Sequence, residues 1–192
     1  MNTIRYIFLS LLLLISLARG AFAVEFNQLV PSKSTLSFSY KQMGASMEGQ
    51  FRQFTADISF DPAKTHTAQA QLTVALASLD SGVSEADQEV AGKQWFNTKI
   101  FPTAHFVSTG VKALGGNRYE ALGKLTIKGK SMDVSAPFTF KLEGASGVFD
   151  GTFILKRLDY AIGDGPWRDV SAVANEIQVK FHLVAVAASR KK

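Results

Sequence analysis

The sequence contains no cysteine. That excludes disulfides, thiolate catalysis and cysteine-ligated metal centres, and leaves the fold to be held by its core alone. Histidine is scarce as well. His66, His105 and His182 are the three present, and no two stand at helical metal-ligand spacing. His105 and His182 fall on outward strand positions and His66 beside a turn, so all three read as solvated surface residues. There is no G-x-S-x-G turn for a serine hydrolase. Asp159, Asp164 and Asp169 recur at a spacing that fits no standard calcium loop. Gly163-Asp164-Gly165 opens like a phosphate loop but runs into Pro166 and Trp167. No metal and no cofactor is expected.

Long apolar runs are missing too, except at the start. Arg5 precedes an apolar stretch from Tyr6 to Ala18, and Ala21-Phe22-Ala23 follows with small residues at the positions a signal peptidase reads. The stretch is shorter than the roughly 20 residues a bilayer span needs. A charged start, a short apolar run and an A-x-A end predict a signal peptide over 1–23, cleaved after Ala23 on export to the periplasm. No stable membrane span is expected afterwards. With Arg5 and Arg19 removed, the formal charge falls from +5 to +3, an ordinary balance that does not point to nucleic acid. Residues 24–192 are long enough for one domain with a sizeable core, and they carry no internal repeat or linker.

Alternation of apolar and polar residues dominates this domain, and period two marks half-buried strands. Leu36, Phe38 and Tyr40 share one parity, as do Phe54, Ala56, Ile58 and Phe60, and then Leu72, Val74 and Leu76. The pattern continues through Tyr119–Ile127, Val134–Leu142, Phe149–Leu155 and Ile177–Leu183, with a less regular strand around Ala104–Val111 and Phe106 as its best inward residue. Asp61-Pro62, Gly115-Gly116-Asn117, Lys128-Gly129-Lys130 and Gly144–Gly147 supply the turns. About eight strands with one polar face each predict an all-β fold: an antiparallel barrel or sandwich whose outside meets water. A transmembrane barrel would invert the pattern. One short helix interrupts it near a barrel end, with Ser84 placed to cap it, Glu85 and Asp87 in its first turn and Lys93 near its close.

No Asp, Glu, His, Lys or Arg falls on the inward parity of the clear strands. Acid–base or nucleophilic catalysis needs titratable groups converging in a pocket, so the interior points away from an enzyme. The inward set mixes Phe38, Phe54, Phe60, Phe138, Phe140, Phe153 and Phe181 with Ala56, Ala121, Gly123, Ala136 and Gly151. Large against small is how a core fills to normal density. It is equally how an aromatic-walled tube is left hollow along its small residues, and eight-stranded barrels reach both outcomes. Trp95 and Trp167 lie outside the regular strands and are placed either to close a barrel end or to pack ordinarily. Arg157 and Arg168 stand where a rim would meet an anionic head group; ion pairs with Asp159 and Asp169 are the plainer assignment.

Several segments, in order, resemble the YceI family of exported proteins. Ser34-Thr35-Leu36-Ser37-Phe38 with Gly49-Gln50-Phe51-Arg52-Gln53-Phe54 is similar to its "S-x-x-x-F … G-x-F-x-x-F". Ala77-Ser78-Leu79-Asp80-Ser81-Gly82, Phe101-Pro102-Thr103-Ala104-His105-Phe106, Gly123-Lys124-Leu125-Thr126-Ile127-Lys128-Gly129 and Arg157-Leu158-Asp159-Tyr160-Ala161-Ile162-Gly163 each resemble a family motif. The resemblance implies a lipocalin-like barrel that binds a polyisoprenoid or similar long-chain lipid. Two segments depart from it. The helix Glu85-Ala86-Asp87-Gln88-Glu89-Val90-Ala91 lacks the family's usual Arg and His, and Gly165-Pro166-Trp167-Arg168-Asp169 looks like a subgroup feature.

The expectation is therefore an exported lipid-binding barrel that holds a polyisoprenoid, quinone or fatty amide for transport, storage or stress protection. Its cavity lining is expected from Phe38, Tyr40, Phe54, Phe106, Leu125, Phe138, Phe140, Phe153 and Phe181, with Trp95, Trp167, Arg157 and Arg168 at the rim. Two other readings stay open: an accessory of isoprenoid-quinone metabolism or electron transfer using the inward phenols Tyr40 and Tyr119, and a filled barrel working through protein contacts. A homodimer stays open as well.

Overall fold

The computed structural model describes residues 24–188, so the expected signal peptide over 1–23 lies outside the described residues. Eleven strands form one antiparallel sheet. They are β1 (Gln28–Leu29), β2 (Thr35–Gln42), β3 (Ala45–Phe51), β4 (Phe54–Ser59), β5 (Gln69–Ala75), β6 (Leu79–Asp80), β7 (Thr103–Gly115), β8 (Arg118–Ile127), β9 (Lys130–Glu143), β10 (Ser146–Lys156) and β11 (Glu176–Val186). The expected count of eight was too low by three. β1 and β6 are two residues each and carry no readable period. β3 was hidden because its inward positions are Met47, Gly49 and Phe51 among Ser46, Glu48 and Gln50. Its turn, Met43-Gly44, has positive φ at both residues (48° and 83°), the geometry a two-residue hairpin requires.

The sheet order is β4-β5-β7-β8-β9-β10-β11-β2-β3-β6. Because β3 runs on into β4 with only Arg52 and Gln53 between them, the sheet curls round until one bent strand belongs to both sides. At that bend Arg52 donates its backbone N–H to Ser78 (3.0 Å), and the Ala75 N–H bonds Gln53 (3.0 Å). Ahead of the first strand, Phe26 exchanges backbone hydrogen bonds with Phe60 (2.9 and 3.1 Å) while β1 pairs with β11. This stitches the two sides together at the opposite end.

The interior holds two clusters. At the N-terminal-strand end, Phe26, Phe60, Phe138, Phe140 and Phe149 plug the barrel, with Phe60–Phe140, Phe140–Phe149 and Phe60–Phe149 ring centroids at 4.9, 5.0 and 5.2 Å. These are the offset and edge contacts that aromatic quadrupoles favour. At the other end Leu76, Trp95, Phe96, Leu155, Tyr160, Ile162 and Val173 gather beneath a helix and a long loop. The alternatives of filled core and hollow tube therefore coexist in one barrel, each at its own end.

The glycines of the inward face are not the hollow part. A Cβ built on Gly151 would fall 2.1 Å from the Phe181 ring, and one on Gly123 would fall 2.5 Å from the Phe106 ring. Each ring lies over a glycine. Gly151→Ala should thus force Phe181 off its seat and destabilise the fold by about 1–3 kcal/mol, which a shift in the urea midpoint would register. Leu142, assigned inward by parity, lies beyond the barrel end and is 65% exposed.

The helix, α1 (Ser84–Ala91), buries none of its residues. Ser84 is inside it and Val83 is its N-cap, without a side-chain cap bond. Asp87 instead reaches back, accepting from the Ser81 backbone N–H (2.9 Å) and hydroxyl (2.6 Å). This ties the first turn to the end of β6 through a carboxylate placed where the helix dipole favours it.

Candidate functional site

Between the aromatic plug and the helix end lies a cavity of about 520 Å³, within the range of small-molecule sites. Its walls are apolar almost throughout, built from the alternate residues that every strand turns inward. Phe38, Tyr40, Phe106, Leu125, Phe138, Phe153 and Phe181 all border it. Phe54 and Phe140 do not. Phe140 is 5% exposed and locked in the plug, and Phe54 packs against that same cluster. The expected lining had left out wall residues with smaller side chains that parity places inward, among them Val134, Val179 and Ile177. Leu79 and Val90 also border it; both lie outside the strands from which period two was read.

The polar fringe is concentrated where three segments meet: the β2–β3 hairpin at Gln42, α1 through Glu85, Ala86 and Glu89, and the loop at Trp167. Trp167 Nε1–H donates to Glu89 Oε1 (3.1 Å), so loop and helix are tied across this end. Trp95 lies beside it, with the two indole centroids 5.3 Å apart. Trp95 and Trp167 thus both stand at a barrel end. Glu85, read from sequence only as a first-turn acid of the helix, and Glu89, one helical turn on, were not expected at the cavity. The signal was available in their i, i+4 spacing.

Arg157 corrects the expected rim. It is 1% exposed and makes no ion pair with Asp159. Its guanidinium donates instead to five backbone carbonyls: Nε to Ala174 (3.0 Å), Nη1 to Ile162 (2.9 Å) and Gly163 (3.3 Å), and Nη2 to Trp167 (2.7 Å) and Val173 (2.7 Å). All five donors of the fork are occupied, so none is left for a head group. Burial, with Arg168 nearby as a lesser cause, lowers its pKa, and its charge lies 5.6 Å from the centre of the Trp95 ring. Arg168 faces away from the cavity and pairs with Asp164 (3.3 Å), not with Asp169. Asp169 accepts from the Ser171 backbone and hydroxyl, which hold its carboxyl below the usual range.

Of the histidines, His105 borders the cavity, and His66 and His182 do not. His182 Nδ1 meets Asp150 (2.6 Å) across β11 and β10, and His105 contacts Thr103 (2.8 Å) and Thr73 (3.2 Å). Among the described residues no group of acidic or histidine side chains is arranged to hold a metal ion.

Two phenols at this end titrate high. Tyr160, 3% exposed, is pushed from 10.0 up to about 12 by burial and then by Asp159. Tyr40 is raised by burial and then by Asp87. A phenol whose folded pKa exceeds its unfolded value binds more protons when folded, so its stabilising contribution is whole below pH 10 and lost as the pH rises towards 12. The urea midpoint should fall across that window, and Tyr160→Phe should flatten the fall. An unchanged slope would show that Tyr160 is not its source.

Residues 28–185 match the family described as the YceI-like domain. A UPF0312 protein of Azotobacter vinelandii is 29% identical over 158 residues, covering 79% of this chain and 80% of the relative. Among solved structures, Burkholderia cenocepacia BcnA superposes with a TM-score of 0.81 at 45% identity, covering 83% of this chain and all of BcnA's. A polyisoprenoid binding domain from Saccharophagus degradans, implicated in plant cell wall breakdown, superposes with a TM-score of 0.65 at 15% identity, covering 86% and 99%. At that identity the likeness concerns the fold alone.

Proposed function

This chain belongs to the YceI-like domain family, and from that premise we propose that it is an exported carrier that shelters a long apolar chain inside its barrel. The observation that carries the reading is the 520 Å³ cavity, walled by inward aromatic and aliphatic side chains and bounded by a packed aromatic plug. Affinity would come from burying apolar surface, at about 25 cal/mol per Å². The Saccharophagus relative, a polyisoprenoid binding domain, makes an isoprenoid tail the first candidate; a quinone or fatty amide tail meets the same walls.

The protein acts by binding rather than by catalysis: its wall is apolar almost throughout, with Tyr40 as its one phenol and Glu85 and Glu89 confined to the helix end. Export follows from residues 1–23, and N-terminal sequencing of periplasmic protein should begin at Val24. Native mass spectrometry of that protein, with lipid analysis of its organic extract, tests the central reading. A stoichiometric long-chain adduct is the expected result. A clean unliganded mass, with no uptake of added polyprenyl lipids, would remove the reading and leave a barrel that works through its surface.

A further inference from the structure

The plugged end of the barrel carries apolar and basic residues that the cavity does not use, and from them we propose that this end docks on an anionic phospholipid bilayer. Its outer wall bears a second, more open cleft of about 650 Å³. The cleft runs from the β7–β8 hairpin across β8, β9, β10 and β11 to β2. Arg118 and Lys180 stand in it, and neither has an ion-pair partner among the described residues. Asp150, the one carboxylate of the cleft, is hydrogen-bonded to His182 (2.6 Å).

Two leucines project at this end. Leu114, 48% exposed, borders the cleft as the extra residue of a β-bulge between Ala113 and Gly115, and a bulge re-aims the side chain it carries. Leu142 is exposed on the neighbouring β9, whose Phe140 N–H bonds the Asn117 carbonyl (2.9 Å) in the β7–β8 turn. Positive charge gathers beside them. Residues 24–192 carry a formal charge of +3, and Arg190, Lys191 and Lys192 account for all of it. The chain reaches them from this end: Val186 pairs with Ser146 next to the β9–β10 turn, and the Ala188 N–H bonds the Asn27 side chain (2.8 Å).

An anionic bilayer uses both kinds of residue. The leucines enter the head-group region, and each cation near the surface tightens binding about fivefold. A soluble anion would engage Arg118 and Lys180 but leave both leucines in water. At the opposite end Met43 and Val170 are exposed as well, but that end holds Glu85 and Glu89, which anionic lipid repels. Docking of this kind is a tether rather than a loading step, because the aromatic plug lies between this end and the cavity.

The protein isolated from the periplasm is floated with vesicles of equal parts phosphatidylglycerol and phosphatidylcholine, and with vesicles of phosphatidylcholine alone. It should bind the first and not the second, and added salt should release it. Arg190→Gln, Lys191→Gln and Lys192→Gln together should weaken binding about a hundredfold, and Arg118→Gln with Lys180→Gln about thirtyfold. The first of these alters no residue of the sheet, so its loss is not a folding defect. Leu114→Asn with Leu142→Asn should weaken binding about tenfold, since residues at a tip bury only part of their surface. Met43→Asn with Val170→Asn should bind as the parent does. Equal binding to both vesicles, a leucine variant that binds like the parent, or loss at Met43 and Val170 in its place would each overturn the proposal. So would release by millimolar glycerol 3-phosphate at constant ionic strength, which would mark the cleft as a site for a soluble anion. The cavity's own reading is decided separately, by the lipid adduct.

Discussion

Arg157→Met should lower stability by about 3–5 kcal/mol, the range for stripping a buried charge from the groups it serves. The loop between β10 and β11 is long and has no strand of its own to satisfy its backbone. Arg157 gathers carbonyls from Ile162, Gly163, Trp167, Val173 and Ala174 on one guanidinium, and so fixes a loop that contributes Ile162, Trp167 and Val173 to the cavity wall. Methionine replaces the packing volume and none of the donors, leaving several buried acceptors unpaired at about 1–3 kcal/mol each before relaxation. Against a typical total of about 5–15 kcal/mol, the loss threatens the fold at working temperature. Arg157→Lys should fall between, since an ammonium offers three donors to five acceptors. Urea unfolding of the three proteins decides it. A methionine variant within about 1 kcal/mol of the parent would mean that water takes over the carbonyls and that the guanidinium is dispensable.

Such a role was invisible in the sequence, and the reason is physical. Period two reports which way a side chain points from a regular backbone. It says nothing of a residue at the head of a loop whose partners are carbonyls up to seventeen positions away. Arg157 therefore read as a rim cation. The same limit hid Glu85 and Glu89, which border the cavity from a helix that buries nothing and whose composition looks like any solvated helix. What alternation does report came through: the eight strands read from it are all in the sheet, and their inward parity, Leu142 apart, matches the interior. The longest strand it missed, β3, puts a glycine at its central inward position, where Phe38 leans across from β2 to cover it. Depth along a strand is also outside its reach. Phe138 and Phe140 share a parity, yet one borders the cavity and the other is sealed in the plug, because the boundary between them is set by how far Phe26 and Phe60 intrude from elsewhere in the chain.

That boundary leads to the prediction with the largest effect on binding. If the cavity is the lipid site, filling it should abolish uptake without unfolding the protein, since the backbone ladders that close the sheet are left untouched. Ala121 and Val179 both border the cavity from separate parts of the barrel wall, on β8 and β11. Ala121→Trp with Val179→Trp would direct two indoles into space that is otherwise open. Each methylene of ligand denied burial forfeits about 0.8 kcal/mol, so excluding about four of them weakens binding by more than 100-fold. The expected result is loss of the lipid adduct in native mass spectra together with a urea midpoint at or above the parent's, because a filled void gains packing contacts. Retained adduct with the midpoint unchanged would place the lipid outside the barrel, against the exposed apolar residues of its surface. A lost adduct with a sharply lowered midpoint would show only overpacking; Ala121→Phe alone, a smaller intrusion, then separates the two, since it should weaken binding in proportion to the methylenes it displaces while leaving the fold intact.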